Sequence, residues 1–388
     1  MTRKGKLKIA ALVLATLLIV AYAVTPSYVF RALIHRHPSI EDLELFAART
    51  VKAGNPTPWP AAPEAASSSL PECYLSDFDR YQTVAFVVVK DSAIFFEQYW
   101  DGYNDNSLTN TFSMAKSVVA MLTGCALDDG YIKSLDQPVR DFIPEYPTSN
   151  RFAPLTLRHL LTMSAGIDHD ESYATLFSKT TEAYYGKNLL TSAINMPQIK
   201  EPGEEFNYQS GSTLLLSIAI SRAVGKPLAD YFSEKIWTPI GAEHDAFWSL
   251  DHAGGLEKAY CCVYSNARDY ARLGQLLINR GQWNGEQLIP KQFIDEMVKP
   301  NPSLTQFFDG QPNKVYGYQL WLTNFRGYEV QALRGILGQY ILAVPELNAV
   351  IVRLGKKADK QYTPDRFRAD VLVWLGAGFD LMGASEKK

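Results

Sequence analysis

The sequence predicts an α+β fold in which both ends of the chain build one antiparallel sheet and helices pack on it. Three observations predict this fold. Two β-branched, apolar runs at residues 83–89 and 93–99 are separated by a short polar turn, as in a β-hairpin. Residues 131–300 are mainly helical in pattern, with loop breaks. Further strand-like runs follow at residues 315–322, 328–333, 339–344 and 349–354, before a last helix at residues 364–375. Strands at both ends around a helical insertion indicate a single sheet covered by helices.

The composition is that of an ordinary globular protein. The chain has 388 residues, of which 47% are hydrophobic and 20% are charged, so it can bury a large core. The formal net charge is −3, and the body of the chain has no basic stripe interleaved with aromatic residues. Nucleic acid is therefore not expected as a partner.

The amino terminus has the pattern of a membrane-inserted segment. Basic residues at positions 3, 4, 6 and 8 precede an apolar run over residues 9–24 that is interrupted by Thr16. Such a segment leaves its positive end in the cytoplasm, so the body would lie on the extracytoplasmic, periplasmic side. A full span needs about 20 residues, and a signal peptide needs fewer, so an uncleaved anchor and a secreted, cleaved form both remain open. The apolar character continues to Leu33, which favours an anchor over residues 1–34.

The next segment is predicted to be a spacer. Residues 53–72 are dense in proline, alanine and serine, a composition that buries little surface and stays extended. We therefore predict a linker at residues 35–70, a folded domain at residues 71–380 and a polar tail at residues 381–388.

The cysteines and histidines indicate no metal or cofactor. Four cysteines are present, and their pairing cannot be deduced from sequence. The adjacent Cys261 and Cys262 are not expected to pair with each other, because neighbouring residues rarely meet disulfide geometry. The six histidines show no ligand spacing, and the acidic run at residues 168–171 is better explained as a solvated loop than as a metal site.

A serine and a lysine lie three residues apart where a polar turn opens into a helix. On a helix these positions are neighbours, so the Lys116 amine can reach the Ser113 hydroxyl. A neutral amine activates a serine by taking its proton, and burial favours the neutral form of a lysine. Residues 118–126 are apolar nearly all round, which predicts a buried helix. The same spacing also occurs at Ser385 and Lys388 in the tail, so the tetrapeptide alone does not decide whether Ser113 is a nucleophile.

Five motifs together carry a family resemblance. They are Ser113-Met114-Ala115-Lys116, the run at residues 159–166, Pro202-Gly203-Glu204 continuing to Tyr208-Gln209-Ser210, the run at residues 267–274, and Gly335-Ile336-Leu337-Gly338-Gln339. In this order they resemble the serine β-lactamase and penicillin-binding-protein superfamily, over residues 84–374. The match is closest to the class C-like branch that holds 6-aminohexanoate-dimer hydrolases and carboxylesterases. The resemblance implies a β-lactamase/transpeptidase-like fold and a small-molecule amide or ester substrate.

The resemblance also implies individual roles. Tyr208 would stand beside the serine and lysine and pass a proton to the leaving group; taken alone, it would be a capping or core tyrosine. Ser210, which closes the same motif, would hydrogen-bond Lys116 or the substrate. Gly335 falls where relatives place the glycine of a Lys-Thr-Gly strand. The backbone N–H groups of Ser113 and Ile336 would then form an oxyanion hole.

The strand motif is also where the sequence departs from the family. It carries Leu333-Arg334-Gly335, and a leucine cannot hold a substrate carboxylate. Arg334 would hold a substrate carboxylate only if its side chain faces the active site, and the alternation of side chains along a strand could turn it away. An amidase or esterase is therefore favoured over a β-lactamase, and Asp168 and Asp170 are candidates to meet a substrate amine. Two alternatives stay open: a D,D-peptidase or β-lactamase-like cell-wall enzyme, and a penicillin-binding sensor that is acylated without turnover.

Overall fold

The structure is a computed structural model that describes residues 3–173 and 175–387. The first two residues of the predicted anchor and Lys388 of the tail lie outside this range. The helices are α1 (Arg3–Val24), α2 (Ser27–His35), α3 (Glu72–Arg80), α4 (Ala115–Asp128), α5 (Leu157–Leu161), α6 (Lys179–Tyr185), α7 (Leu189–Ile194), α8 (Ser210–Val224), α9 (Leu228–Phe232), α10 (Ala267–Ile278), α11 (Lys291–Met297) and α12 (Val371–Leu381).

The strands are short except in the main sheet. They are β1 (Ala48–Val51), β2 (Thr83–Lys90), β3 (Ala93–Tyr99), β4 (Thr109–Asn110), β5 (Glu205–Phe206), β6 (Ala246–Ser249), β7 (Val263–Ser265), β8 (Gln282–Trp283), β9 (Glu286–Gln287), β10 (Thr305–Gln306), β11 (Trp321–Phe325), β12 (Tyr328–Gly335), β13 (Gln339–Val344) and β14 (Ala349–Gly355).

The main sheet joins the two ends of the folded body, which confirms the predicted fold class. Its six strands run in the order β11-β12-β13-β14-β2-β3, and each neighbouring pair is antiparallel. The early hairpin β2–β3 therefore adds to a meander formed by the end of the chain. This arrangement leaves the residues between β3 and β11 free to form the helical region that carries α4 and α8.

Alternate residues of β2 supply two cores on opposite faces of the sheet. Phe86 and Val88 join the cluster that contains Phe78 of α3 and Trp374 of α12. Val87 and Val89 face the other way and join the larger cluster with the apolar side of α4. A strand that is buried on both faces reads as a continuous apolar run, as residues 83–89 do.

Two predicted elements have different boundaries. The strand predicted from residue 315 begins at Trp321, because Gln319 has a left-handed backbone with φ of 51° and turns the chain. The last helix begins at Val371 rather than near residue 364, because Arg366 also has a positive φ, of 64°, which a helix does not accept.

Residues 35–70 pack on the domain and do not form the extended spacer that we expected. Strand β1 pairs with β6 in a second sheet of order β1-β6-β7-β4. Ile40 and Val51 are fully buried, and the Trp59 ring contacts Trp283. The prediction from composition was wrong because a few apolar side chains hold this proline-rich segment on the domain, together with backbone hydrogen bonds.

Helix α1 stands apart from these cores. It is 22 residues long, its most apolar window has a mean hydropathy of 2.4, and the described side chains of that window are not buried. By length and composition it can serve as a signal anchor or a signal peptide.

The two adjacent cysteines form a disulfide bond, so the expectation that they do not pair is wrong. Their Cα atoms are 3.8 Å apart, closer than in ordinary disulfides. Cys262 adopts a positive φ of 71°, an uncommon backbone conformation that accompanies this pairing of neighbours.

Candidate active site

The predicted nucleophile and its partner meet at the start of a buried helix. Ser113 lies in a short 3₁₀ turn, Phe112–Met114, that leads into α4. Lys116 lies on the first turn of α4 with only 1% of its surface exposed, and its Nζ is 3.0 Å from the Ser113 Oγ. The i, i+3 spacing therefore places amine and hydroxyl in direct contact.

Two further groups surround the Lys116 amine. Its Nζ donates to the Tyr260 carbonyl at 3.0 Å, a bond that fixes where the amine points. The Tyr208 ring centroid lies 5.0 Å from the same nitrogen. The structure thus brings Ser113, Lys116 and Tyr208 together in one place.

Tyr208 is held by packing on its far side. It lies in the loop between β5 and α8, and its ring contacts Tyr316 and Trp321, with centroids 5.9 Å and 5.4 Å away. The backbone N–H of Asn207 donates to the Met163 carbonyl and fixes the loop just before Tyr208. Aromatic packing of this kind leaves the ring few alternative positions.

Gly335 brings the end of β12 against the Ser113 turn. A Cβ at this position would lie 2.2 Å from the Thr111 carbonyl oxygen, so only glycine allows the approach. Ser113 and Ile336 consequently line the same pocket. Phe112, directly before the serine, has a φ of 44°, a strained conformation for a bulky residue of the kind found at functional sites.

Ser210 contacts a carboxylate that the sequence did not single out. Its hydroxyl donates to Glu171 at 2.7 Å and its backbone N–H to the same side chain at 2.5 Å, so its observed partner is Glu171 rather than Lys116, one of the two partners expected for it. His169 is 3.0 Å from Glu171, and the Tyr173 hydroxyl also donates to it.

The surroundings of Glu171 keep it charged. Burial alone would raise the pKa of Glu171, but the hydrogen bonds with His169 and with the Ser210 backbone help to outweigh burial and lower the pKa to about 2. No local pattern reveals this contact, because Glu171 and Ser210 are 39 positions apart in the chain. The acidic run at residues 168–171 was the available signal, and only its last member is directed at the site.

Three side chains predicted to bind substrate, those of Asp168, Asp170 and Arg334, do not line the pocket that contains Ser113. Asp168 and Asp170 are exposed, and the Asp170 carboxylate accepts the Ser172 amide. Arg334 stacks on Trp321, with 3.5 Å between guanidinium and ring centroid, and donates to the Arg366 carbonyl. Strand alternation has turned Arg334 away from the Ser113 pocket, so it is not placed to hold a substrate carboxylate there.

The pocket has a volume of about 270 Å³ and reaches from the serine to the amino-terminal segment. Its lining includes Ser113, Ile336, Tyr260 and Cys261, together with Ala32 and residues 36–38. The disulfide-bonded Cys261 therefore borders the site directly and follows the residue whose carbonyl holds Lys116.

Comparison with known proteins identifies similar chains. The beta-lactamase family model matches residues 74–373. A 6-aminohexanoate-dimer hydrolase of Paenarthrobacter ureafaciens is 26% identical over 291 residues, which are 71% of this chain and 73% of that protein. A D-alanyl-D-alanine-carboxypeptidase/endopeptidase of Escherichia coli (strain K12) is 25% identical over 178 residues, 42% of this chain and 45% of that protein.

Solved structures share the fold. A candidate 6-aminohexanoate-dimer hydrolase from Bacillus anthracis superposes with a TM-score of 0.75 at 22% identity, covering 90% of this chain and 94% of that one. A family VIII carboxylesterase superposes with a TM-score of 0.64 at 18% identity, covering 83% of this chain and 98% of that one.

Proposed function

The chain belongs to the beta-lactamase family and is a hydrolase, and on that premise we propose that it cleaves an amide or ester bond of a small substrate through an acyl-enzyme on Ser113. The 3.0 Å contact between the Ser113 hydroxyl and the buried Lys116 amine carries the proposal. That contact supplies a nucleophile and a proton acceptor in hydrogen-bond range.

The proposed reaction has two steps. Lys116, with its amine neutral, takes the Ser113 proton, and the Ser113 oxygen attacks the substrate carbonyl. The backbone N–H groups of Ser113 and Ile336 stabilise the oxyanion, and Tyr208 passes the proton to the leaving amine or alcohol. Water then attacks the acyl-enzyme ester, and its proton passes through Tyr208 and Lys116 to the Ser113 oxygen as the C–O bond breaks, which releases the acid and free Ser113.

The surroundings of the site favour an amide or ester without a β-lactam carboxylate. Leu333 is buried and apolar, and the Arg334 guanidinium is held by Trp321 and the Arg366 carbonyl. The relatives named as a 6-aminohexanoate-dimer hydrolase and a carboxylesterase support the same choice. D,D-peptidase activity is the second candidate, because one curated relative carries that name over about two fifths of this chain.

The proposal places the hydrolase at a membrane. Helix α1 is apolar enough to cross one, and its basic residues precede the apolar stretch. By the positive-inside rule the basic end stays in the cytoplasm and the catalytic body lies outside it. We include residues 27–70 in that body, since they pack on it.

Labelling by a fluorophosphonate probe tests the nucleophile. The unaltered chain should bind about one equivalent, and Ser113→Ala should bind none, because the attacking oxygen is gone. Ser385→Ala is the matched control, since Ser385 has the same spacing to a lysine in the polar tail, and it should label like the unaltered chain. Labelling retained in Ser113→Ala would refute the assignment.

A substrate panel separates the candidate activities. Nitrophenyl butyrate and 6-aminohexanoate dimer test esterase and amidase action, while nitrocefin and fluorescent penicillin test the cell-wall alternatives. We expect steady turnover of the ester or the amide. A burst of product equal to the enzyme present, without further turnover, would instead indicate an acylated sensor.

A further inference from the structure

We infer that the substrate is a single-chain amphiphile, a fatty-acyl ester or amide, whose apolar chain enters the Ser113 pocket from the membrane surface. The inference rests on the proposed function and deepens it by naming the class of substrate. It depends on where α2 lies, on the chemistry of the pocket lining and on the surface around α2.

Helix α2 joins the membrane-type helix directly to the active site. Only two residues separate α1 from α2, and Ala32 of α2 lines the pocket that contains Ser113. Ala32 lies eight positions after Val24. With the rise per residue of a helix and of an extended chain, the distance between these two residues is less than roughly 20 Å. The pocket wall therefore lies close to the end of the segment that would leave the bilayer.

Contacts with the domain hold α2 in place. The Arg31 guanidinium donates to the Tyr185 carbonyl at 3.0 Å and to the Leu45 carbonyl at 3.3 Å. The His35 ring stacks on Tyr185 with centroids 6.2 Å apart, and Ala32 is only 2% exposed. Helix α2 is thus a fixed wall of the pocket, and the membrane-type helix is attached to that wall.

The pocket lining suits one hydrocarbon chain. The lining is mainly aromatic and aliphatic, with Phe112, Tyr184, Tyr185, Leu176 and Ile336, and its polar members include Thr175, Thr180 and Thr181. Arg36 and His37 also line the pocket, and they follow the carboxyl end of α2, the end away from α1. A volume of about 270 Å³ is small for a ligand pocket, so it suits one chain rather than the two of a phospholipid.

The surface beside α2 is apolar as well. Ile34 is 74% exposed and Leu33 is also exposed, both next to the pocket-lining Ala32. Phe177 is 69% exposed and follows Leu176, which lines the pocket. Single exposed apolar residues are ordinary, but these three neighbour pocket-lining residues in the chain, and Leu33 and Ile34 lie on the helix that follows α1 after two residues. A bilayer surface is the occupant that matches this direct connection to α1.

A short charged substrate matches the pocket less well. A substrate ammonium needs a carboxylate, yet Asp168 and Asp170 do not line the pocket. Glu171 is engaged by Ser210, His169 and Tyr173. The structure therefore favours an uncharged chain beside the scissile bond.

The test compares chain length and source with the full chain in phosphatidylcholine vesicles. The substrates are 4-methylumbelliferyl butyrate and octanoate in water, and the palmitate ester incorporated in the vesicles. We expect kcat/KM for octanoate to exceed that for butyrate at least about tenfold, because four more methylenes are buried, and palmitate to be hydrolysed from the vesicles. Equal or faster reaction with butyrate would overturn the inference. Octanoate turnover without palmitate turnover would overturn the membrane source.

A matched pair of variants tests the pocket itself. Leu176→Glu puts a charge in the lining and should lower the octanoate to butyrate ratio at least about tenfold. Leu372→Glu changes an exposed leucine of α12 outside the pocket and should leave the ratio unchanged. An unchanged ratio in Leu176→Glu, with circular dichroism showing it folded, would also overturn the inference. If the unaltered chain neither labels at Ser113 nor cleaves butyrate, the proposed function itself has failed.

Discussion

Glu171 supports the site without lining its pocket, because it bonds the pocket residue Ser210. Its carboxylate accepts from the backbone and hydroxyl of Ser210, the first residue of α8, where a negative charge also suits the helix dipole. The contact between Ser113 and Lys116 was predictable because a helix brings i and i+3 together. The contact between Glu171 and Ser210 was not, because only the tertiary fold joins them.

Replacing Glu171 with glutamine should destabilise the protein most above pH 4.5. The carboxylate has a pKa of about 2 in the folded chain and about 4.5 when unfolded. Its stabilisation is therefore complete above pH 4.5 and is lost as the pH falls towards 2. We expect Glu171→Gln to lose about 1.5–3 kcal/mol at pH 7, the usual worth of hydrogen bonds to a charged group.

Urea unfolding at pH 7, 4.5 and 3 measures this difference. The gap between the unaltered chain and Glu171→Gln should narrow at the lowest pH. Glu44→Gln, at an exposed position, is the control and should lie within about 0.5 kcal/mol of the unaltered chain. A gap that stays constant from pH 7 to pH 3 would contradict the assigned charge state.

At the scale of elements, the segment that leads into β7 holds Lys116, the proposed proton acceptor, in place. The Thr111 amide donates to the Val263 carbonyl at 2.8 Å, and the Ser249 amide to the Cys262 carbonyl at 3.0 Å. The segment is thereby tied to both the Ser113 turn and β6. The disulfide between Cys261 and Cys262 lies inside this segment, next to the carbonyl that holds Lys116.

Reducing that disulfide should slow catalysis. A dithiol such as dithiothreitol transfers two electrons and two protons, breaks the S–S bond and leaves two thiols. The turn is then less constrained and the Tyr260 carbonyl is less well placed, so kcat should fall by up to about 100-fold with a smaller change in KM. Ester turnover before reduction, after reduction and after reoxidation measures the effect.

The other cysteines provide the control. A chain with Cys73→Ser and Cys125→Ser should still respond to the dithiol, since these two thiols are free. A chain with Cys261→Ala and Cys262→Ala should have the lowered kcat both with and without the dithiol. If thiol titration shows complete reduction and kcat is unchanged, the disulfide has no positioning role.

Element boundaries show where sequence patterns fail. The long strands β2, β13 and β14 were predictable because β-branched runs and turns mark them. The start of β11 and the start of α12 were not, because Gln319 and Arg366 adopt left-handed backbone conformations without the glycine that normally signals them. The four-stranded sheet was missed for another reason: its strands have only two to four residues.

At the scale of the whole molecule, residues 27–70 complete the body. Helix α2 forms a pocket wall, β1 covers the edge of β6, and Arg272 donates to the Thr57 carbonyl at 2.7 Å while its guanidinium lies 4.8 Å from the Trp59 ring centroid. Mean composition predicted a spacer because it averages over the few anchoring residues.

A fragment that starts at residue 71 should therefore fold poorly. It would lack the strand that covers β6 and the helix that covers the pocket, so apolar surface and strand edges would be exposed. A fragment that starts at residue 25 keeps both and should unfold cooperatively. Thermal melts followed by circular dichroism, with fluorophosphonate labelling of Ser113, compare the two. Equal melting temperatures and equal labelling would show that residues 27–70 are dispensable.

The two residues between α1 and α2 would allow two working forms if a peptidase cut the chain there. Because α2 is fixed by its own contacts with the body, such a cut would release the hydrolase without opening its pocket. The tethered form would sample only the lipid patch around its stem, whereas the shed form would diffuse freely and meet esters dispersed in the surrounding fluid. The tethered form would thus act on substrates concentrated at the membrane and the shed form on substrates at a distance from it, through the same reaction.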